Sequence, residues 1–276
     1  MNVVVTLTTI PTRLISQYNF DIKYCIESLL NFNYENYEVH FNIPQSHKES
    51  GSEYVLPEWL AELEENSDKL TIFRTEDYGP VTKLYPTLKR VEDGETIIIV
   101  VDDDMVYHTE LINEHLKNRE KWPTYPVGYD GLTSINDDYS RRMTFGNSRD
   151  YYFSANGMAS FVEILQHYKT VSYKRDMFGE DIFEFIDTYG TWCDDTTLSA
   201  YFAMKGVPRV VSYYELDEVA ETYEDWLNVV GKSFPIVRGT EHDTMEGCHI
   251  FRHDNKDKEM FHELNRFLGM GYVKKD

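Results

Sequence analysis

The sequence predicts an α/β protein with an open, mostly parallel central sheet flanked by helices, and three observations support this fold class. Strand-like and helix-like segments alternate through the first half of the chain. One segment, Thr96–Val101, contains only β-branched residues, which is typical of a strand buried on both faces of a parallel sheet. The contents of 41% apolar and 27% charged residues are those of a globular protein.

The elements of the first half follow from their patterns in chain order. Val3–Leu7 is an apolar run of strand length, and apolar residues recur at helical spacing from Ile22 to Leu30. Next come a strand, a helix entered through a proline, a strand, a helix with Pro86 in its first turn, and the β-branched strand. Their predicted bounds are Tyr37–Ile43, Glu58–Glu65, Leu70–Thr75, Lys83–Val91 and Thr96–Val101. This order predicts a doubly wound sheet, in which ligands bind beyond the carboxyl ends of the strands.

The second half of the sequence is less regular. Residues 125–153 are rich in Gly, Asn, Asp and Tyr, which predicts loops and short antiparallel strands. The patterns predict helices at Phe161–Tyr168 and Asp194–Met204, a strand at Pro208–Tyr213, and an amphipathic helix at Lys256–Leu268. No linker-like composition separates the two halves, so we expect a single domain.

Charge and cysteine usage exclude several classes of protein. The chain has 27 basic and 48 acidic residues, a formal net charge of −21, which opposes nonspecific nucleic-acid binding because phosphates are neutralised by Lys and Arg. Its three cysteines form neither a disulfide framework nor a CxxC zinc pattern, which favours a reducing compartment. The sequence has no signal-peptide pattern and no apolar stretch of the roughly 20 residues that span a bilayer. We therefore expect a cytoplasmic protein without a transmembrane segment.

An acidic triplet, Asp102-Asp103-Asp104, directly follows the β-branched strand. Three adjacent carboxylates repel one another, and a divalent cation such as Mg²⁺ or Mn²⁺ would remove that cost. In an extended chain Asp102 and Asp104 would share one face while Asp103 points elsewhere. The alternative is a solvated acidic turn or the N-cap of the next helix.

Two enzyme classes use Asp-x-Asp after a buried strand. In haloacid-dehalogenase-like phosphatases the first Asp attacks phosphorus, and Asp102-Asp103-Asp104-Met105-Val106 fits that letter pattern. In those enzymes, however, the motif follows the first strand of the core, whereas here several α/β units precede it. The other class is the metal-dependent nucleotide-sugar glycosyltransferases. A non-catalytic carbohydrate-binding protein that holds Ca²⁺ at the triplet is a third possibility.

Over residues 1–250 the chain resembles the GT-A fold glycosyltransferases, which have a Rossmann-like sheet. The resemblance is carried by an ordered set of segments: Thr8-Thr9-Ile10-Pro11-Thr12-Arg13, Asp77-Tyr78-Gly79-Pro80-Val81-Thr82-Lys83-Leu84, the acidic triplet, and Cys193-Asp194-Asp195 at the start of a helix. It is closest to small cytosolic enzymes that build surface glycans in bacteria and large viruses; for a viral protein the compartment would be the host cytoplasm. The resemblance implies a nucleotide-binding half at residues 1–107 and an acceptor-binding half with a C-terminal helix at residues 108–276.

The resemblance also implies roles for individual residues. The residues that would bind the nucleotide-sugar are Thr9, Pro11, Arg13, Asp77, Tyr78, Lys83, Asp102 and Asp103. The metal ligands would be Asp102, Asp104 and a late histidine, for which His249 is the first choice and His242 the second. Residues 151–157 are a candidate lining of the donor-sugar pocket.

Inverting members of the family keep a catalytic base where Asp194 and Asp195 lie. Asp195 is the first choice for this base and Asp194 the second, and Trp192 beside them would contact the acceptor. The alternative is that one of the two carboxylates only caps the helix, and without a base here a retaining mechanism is favoured. The sequence thus predicts an Mn²⁺- or Mg²⁺-dependent glycosyltransferase that moves a sugar, a hexose or a pentose, from a UDP-sugar to an oligosaccharide or glycoprotein glycan.

Overall fold

The structure is a computed structural model and describes residues 1–15, 22–134, 142–145, 159–189 and 193–212. The strands are β1 Val3–Leu7, β2 Tyr37–Pro44, β3 Leu70–Thr75, β4 Ile97–Val100, β5 Val127–Gly128, β6 Gly131–Ser134, β7 Arg142–Phe145, β8 Ala159–Val162, β9 Ile164–Leu165, β10 Val171–Lys174 and β11 Arg209–Ser212. The helices are α1 Pro11–Leu14, α2 Ile22–Leu29, α3 Glu58–Glu65, α4 Tyr85–Arg90, α5 Leu111–Lys121, α6 Asp181–Tyr189 and α7 Asp194–Met204. None of these helices is long and apolar enough to cross a bilayer.

The described strands form an eight-stranded sheet in the order β3-β2-β1-β4-β10-β5-β11-β8 and a small sheet in the order β7-β6-β9. The first four strands are parallel, with Val5 between Val39 of β2 and Ile99 of β4. The predicted fold class is therefore confirmed: the protein has an open, mostly parallel sheet with helices packed against it.

Strand β4 lies between two apolar layers because its side chains alternate between the faces of the sheet. Ile97 and Ile99 face a core built with α2, α3 and α5, whereas Ile98 and Val100 face a core built with α4, α6 and α7. All four side chains are buried, and each such burial is worth about 1.5–3 kcal/mol. The prediction that this strand is apolar on both faces is confirmed.

Strand β10 explains how the second half of the chain reaches the site. It lies antiparallel between β4 and β5, with Val171 opposite Val100. Because β10 runs against β4, the residues that precede β10 lie beside the residues that follow β4. A 3-10 helix at His167–Lys169 is thereby placed at the carboxyl end of β4.

Two predicted helices differ from the structure. The helix predicted at Lys83–Val91 is shorter in the structure, where it is α4, and Lys83 instead ends a 3-10 helix at Gly79–Lys83. Pro86 lies in the first turn of α4, as expected. The helix predicted at Phe161–Tyr168 is wrong, because this segment contains the end of β8, strand β9 and the turn into the 3-10 helix. Short apolar runs do not distinguish helix from strand, and here pairing with β11 and β6 decides the outcome. The helix predicted at 256–268 lies outside the described residues.

His115 on α5 generates a prediction about pH. Its ring is fully buried, Nε2 lies 2.7 Å from Oγ1 of Thr170, and burial together with Arg119 lowers its pKa to about 3. The folded state keeps this ring neutral while the unfolded chain protonates it below about pH 6.5, so stability falls as the pH falls through that window. We expect His115→Gln to be less stable than the wild type at pH 7.5, by an amount that shrinks toward pH 4.5. Urea unfolding at several pH values measures this difference.

The control for this variant is His47→Gln, because His47 lies in a surface turn beside Ser50. It should leave the unfolding free energy close to that of the wild type. A stability loss in His115→Gln that stayed constant from pH 7.5 to 4.5 would contradict the assignment of a neutral buried imidazole.

Candidate active site

Three segments meet beyond the carboxyl ends of β1 and β4. They are the turn and helix α1 after β1, the acidic triplet after β4, and the first turn of α7. Side chains from all three make ion pairs in this region, and Lys83 and His167 join them from other elements. This edge of the sheet is where ligands bind in doubly wound folds.

Asp103 connects the first two segments and is buried. It accepts hydrogen bonds from Oγ1 of Thr9 at 2.5 Å and from Nη1 of Arg13. Burial alone would lower the pKa of Arg13, but Asp103 and Asp104 outweigh burial and raise it. Asp103 therefore makes its contacts within the protein, and it holds Thr9 and Arg13 beside the triplet.

The acidic triplet is a turn and not an extended segment, because Asp103 and Asp104 lie in a hydrogen-bonded turn after β4. The expectation that Asp102 and Asp104 share a face by strand alternation is therefore not met. Instead Asp102 pairs with Lys83, while Asp103 and Asp104 share Arg13, with Oδ2 of Asp104 at 3.3 Å from Nη2.

One phenol holds this turn in place. The hydroxyl of Tyr107 accepts a hydrogen bond from the backbone N–H of Asp102 at 2.9 Å and donates one to the carbonyl of the same residue at 3.0 Å. Tyr107 is buried, and the thiol of Cys25 lies 3.5 Å from the same carbonyl. The sequence did not indicate this contact, because no local pattern shows where the side chain of a tyrosine shortly after an acidic triplet will point.

Asp104 is the most exposed carboxylate of the triplet, with 29% of its side chain accessible, compared with 25% for Asp102 and 6% for Asp103. Burial and the neighbouring charges of Asp102 and Asp103 raise the pKa of Asp104 to about 7, although Arg13 and Lys83 act in the opposite direction. The two basic side chains thus leave part of the negative charge uncompensated. Accessible oxygen ligands with uncompensated charge fit a hard divalent cation such as Mg²⁺ or Mn²⁺.

Lys83 is buried at the centre of the site. Its Nζ contacts Oδ1 of Asp102 and lies 2.9 Å from Oδ2 of Asp194. Burial alone would lower the pKa of Lys83, but the two carboxylates raise it well above its usual value, so the amine is charged. Its carbonyl accepts hydrogen bonds from Oγ1 of Thr6 and, at 3.1 Å, from Nδ2 of Asn42, which fixes the backbone from which it extends.

The first turn of α7 presents Asp194 and Asp195. The N-cap is Cys193 and not an aspartate, and the Cys193 side chain makes no capping hydrogen bond. The interpretation that Asp194 or Asp195 only caps the helix is therefore wrong, although both gain from the positive end of the helix dipole. Their carboxylates are directed instead at Lys83 and at a histidine that the sequence did not reveal.

That histidine is His167, which is fully buried in the 3-10 helix before β10. Its Nδ1 lies 2.6 Å from Oδ1 of Asp195 and 3.1 Å from Oδ2 of Asp194, and its backbone N–H donates to Oδ1 of Asp195 at 2.8 Å. Its Nε2 lies 2.7 Å from the hydroxyl of Tyr173. Sequence reasoning missed His167 because it assigned this segment to a helix remote from the site.

The two carboxylates of α7 differ in basicity. Burial would raise the pKa of Asp194, but Lys83 and His167 outweigh burial and hold it far below its usual range. Burial and the charge of Asp194 raise the pKa of Asp195. The side chain of Asp195 is 15% exposed and that of Asp194 is 4% exposed. Asp195 is thus both the more basic and the more accessible of the two.

Among the described residues, one set of three possible metal-ligand atoms lies within 4.8 Å, from His167, Asp194 and Asp195. Lys83 already places a positive charge 2.9 Å from this set. The buried Oδ2 of Asp194 has its ion-pair partners nearby but no donor in hydrogen-bond alignment. The triplet offers two accessible carboxylates, so a cation there would need further ligands, such as diphosphate oxygens.

The remaining predicted residues have these positions. Asp77 accepts hydrogen bonds from the backbone N–H groups of Lys48 at 2.7 Å and Gly79 at 2.8 Å, so it organises the loop after β3. Tyr78 packs on Tyr85 with ring centroids 4.3 Å apart. Pro11 begins α1. Trp192, His242, His249 and residues 151–157 lie outside the described residues.

The raised pKa of Asp104 predicts how this residue affects stability in metal-free buffer. Between about pH 4 and pH 7 the folded state holds a proton that the unfolded chain releases, so the charge of Asp104 costs the fold stability as the pH rises. We expect Asp104→Asn to raise Tm relative to the wild type at pH 8 and to lose that advantage at pH 5. Thermal unfolding in EDTA at pH 5, 6, 7 and 8 measures the effect. Asp68→Asn, at an exposed carboxylate before β3, is the control and should show no such trend.

Comparison with known proteins adds information on the fold. No protein-family model matches the sequence, and no curated protein matches it. Among solved structures, GalNAc-T7 with UDP, GalNAc and Mn²⁺ matches 77% of this chain and 42% of its own, with a TM-score of 0.54 and 11% identity. Staphylococcus aureus TarS residues 1–349 match 78% of this chain and 58% of their own, with a TM-score of 0.46 and 14% identity. A 4-diphosphocytidyl-2C-methyl-D-erythritol synthase from Anaerococcus prevotii matches 73% of this chain and 82% of its own, with a TM-score of 0.45 and 13% identity.

The aligned regions span about half of the GalNAc-T7 and TarS chains. Identities this low show the fold and nothing of the chemistry. The strand order around β4 and the likeness to GalNAc-T7 agree with the fold expected from the sequence: the chain has a GT-A-like α/β fold.

Proposed function

We propose that this protein is a metal-dependent glycosyltransferase that moves a sugar from a UDP-sugar to a hydroxyl group of a glycan acceptor, with inversion at the sugar carbon. One observation carries the proposal. Lys83 pairs with Asp102 and Asp194 at the same time, so the acidic triplet and the carboxylates of α7 lie at one edge of the sheet. Glycosyl transfer needs these two kinds of group close together, one at the leaving diphosphate and the other at the attacking hydroxyl.

The donor would lie over the triplet, where Arg13 and Lys83 are the basic groups. Asp102 and Asp104 would hold Mn²⁺ or Mg²⁺ together with donor oxygens, and His249, or else His242, would complete the ligand set. Once bound, the cation supplies Lewis-acid stabilisation of the leaving diphosphate. GalNAc-T7, which shares the fold, was solved with UDP and Mn²⁺, so these are the first nucleotide and metal to test.

Asp195 is the proposed general base. Its Oδ1 is bound by His167, and none of the described residues hydrogen-bonds its Oδ2, which leaves that oxygen for the acceptor hydroxyl. Its raised pKa makes it a better proton acceptor than Asp194, whose charge is stabilised by Lys83. The acceptor oxygen attacks the sugar carbon, its proton goes to Asp195, and the bond from that carbon to the diphosphate oxygen breaks.

Trp192 is the proposed acceptor contact because it is close in sequence to the carboxylates of α7. An oligosaccharide or glycoprotein glycan and a cytoplasmic location remain predictions from the sequence.

Nucleotide and metal binding provide the first test. We expect UDP with Mn²⁺ to raise Tm, and UDP alone, Mn²⁺ alone, or GDP, CDP and TDP with Mn²⁺ to raise it little, because ligands stabilise only the state that binds them. A thermal-shift panel measures this. No shift with any pair would contradict the proposal.

The base provides the second test. Asp195→Asn should keep the UDP–Mn²⁺ shift and lower the transfer rate about 10²–10⁴-fold, because an amide cannot accept the proton. The measurement is UDP release in the presence of acceptor. The matched control is Asp181→Asn, since Asp181 also lies in the first turn of a helix but pairs with Lys205 away from the site.

Two outcomes would change the mechanism or the class of enzyme. Full transfer by Asp195→Asn would remove Asp195 as the base and favour a retaining displacement. Hydrolysis of a simple phosphoester with a covalent phosphate on Asp102 would replace the transferase by a phosphatase.

A further inference from the structure

We propose that His167 is a positioning residue for the base: it holds one carboxylate oxygen of Asp195 and turns the other oxygen toward the acceptor. This inference rests on the proposed function and adds a residue to the same site. Neither the sequence pattern nor the comparisons with known proteins indicated this histidine.

The contacts between His167 and Asp195 fix one oxygen from two directions. The ring donor Nδ1 lies 2.6 Å from Oδ1, and the backbone N–H of His167 donates to the same oxygen at 2.8 Å. Two donors on one oxygen restrict the rotation of the carboxylate. Since none of the described residues bonds Oδ2, the geometry leaves one oxygen available in a fixed direction.

The ring of His167 is itself held on its far side. Its Nε2 lies 2.7 Å from the hydroxyl of Tyr173, and the Tyr173 ring stacks on Phe202 with centroids 5.5 Å apart and an interplanar angle of 10°. His167 and Tyr173 are both buried, so neither ring is free to turn. The chain of contacts runs from the core through Tyr173 and His167 to Asp195, in the manner of an orienting group behind a catalytic base.

His167 also affects the charge of the base. Among the described residues, the charged or titratable groups around Asp195 are Asp194 on α7, Lys83, His167, Tyr173 on β10, and Asp130 after β5. Burial by itself lowers the pKa of His167, but Tyr173 and Asp194 raise it well above its usual value. A protonated ring favours the ionised form of Asp195, which a general base requires. His167 keeps its own protons throughout, because the acceptor's proton goes to Asp195.

The experiment compares His167→Leu with His167→Asn. An asparagine amide nitrogen can occupy the place of Nδ1, whereas leucine fills the space without a donor. We expect His167→Leu to lower kcat about 10²-fold, because a misplaced catalytic group costs about that much, with little change in the KM for the donor. The acid limb of the pH profile of kcat should move to higher pH, since Asp195 would lose a donor that favours its charge. His167→Asn should recover most of the rate.

Tyr173→Phe is a milder variant in case His167→Leu does not fold. It keeps the ring that packs on Phe202 and removes only the hydroxyl, so it should fold and lose several-fold in kcat. The matched control is His40→Leu, because His40 is also buried but lies on β2 beside Glu38 and Phe73. It should leave kcat unchanged.

A double-mutant cycle of His167→Leu and Asp195→Ala, measured by unfolding of the ligand-free protein, tests the contact without relying on activity. The effects of the two changes should not add: the unfolding constant of the double variant should differ at least threefold from the value expected from the two single variants. Additive effects, or wild-type kcat in both His167→Leu and Tyr173→Phe, would overturn the inference while the transferase remained. Absence of transfer by the wild-type protein with every UDP-sugar would overturn the proposed function, and the catalytic role of His167 with it.

Discussion

One buried ammonium group holds the candidate site together. Lys83 carries its charge where water is excluded, and such a charge is tolerated only beside opposite charges. Its two partners come from distant parts of the chain, Asp102 from the turn after β4 and Asp194 from the first turn of α7. Pairing with both satisfies the lysine and fixes the distance between the acidic triplet and the carboxylates of α7. Removal of any one of the three would leave a buried charge without full compensation.

The same pairing gives two neighbouring carboxylates, Asp194 and Asp195, different basicities. The negative charge of Asp194 is stabilised by Lys83, so Asp194 is a poor proton acceptor. Asp195 lies next to the negative charge of Asp194, which raises its pKa and makes it a better proton acceptor. Adjacent residues thus acquire different chemistry from their surroundings and not from their side-chain type. Arg13 and Lys83 also reduce local repulsion in a chain whose net charge is −21, so the proposed anionic donor would meet a less negative edge of the sheet than the composition suggests.

The sequence predicted those parts of the molecule in which local pattern and tertiary structure agree. Thr96–Val101 has apolar residues on both faces and contains the buried strand β4. The position of the acidic triplet at the carboxyl end of this strand could therefore be predicted. The carboxylates at Asp194 and Asp195 were found through a family resemblance. His167 could not be found in either way, because its position depends on the pairing of β10 with β4, which joins segments distant in sequence. Tyr107 contacts Asp102 only five residues earlier, but the direction of its side chain depends on the turn between them, which no local pattern specifies. The turn at Asp103 escaped prediction for a related reason: its shape is set by the contacts of Thr9, Arg13 and Tyr107 and not by the strand before it.

The antiparallel insertion of β10 has a consequence for the order of folding. Strands β1 and β2 each pair with the next strand in the sequence, whereas both partners of β4 are distant in sequence. One of them, β1, precedes β4 along the chain, and the other, β10, follows it in the second half. Because β1 to β4 are synthesised before β10, the first half can assemble while one edge of β4 is still open. That edge is apolar and unprotected until β10 arrives, which makes it the point where a nascent chain is most exposed to wrong pairing.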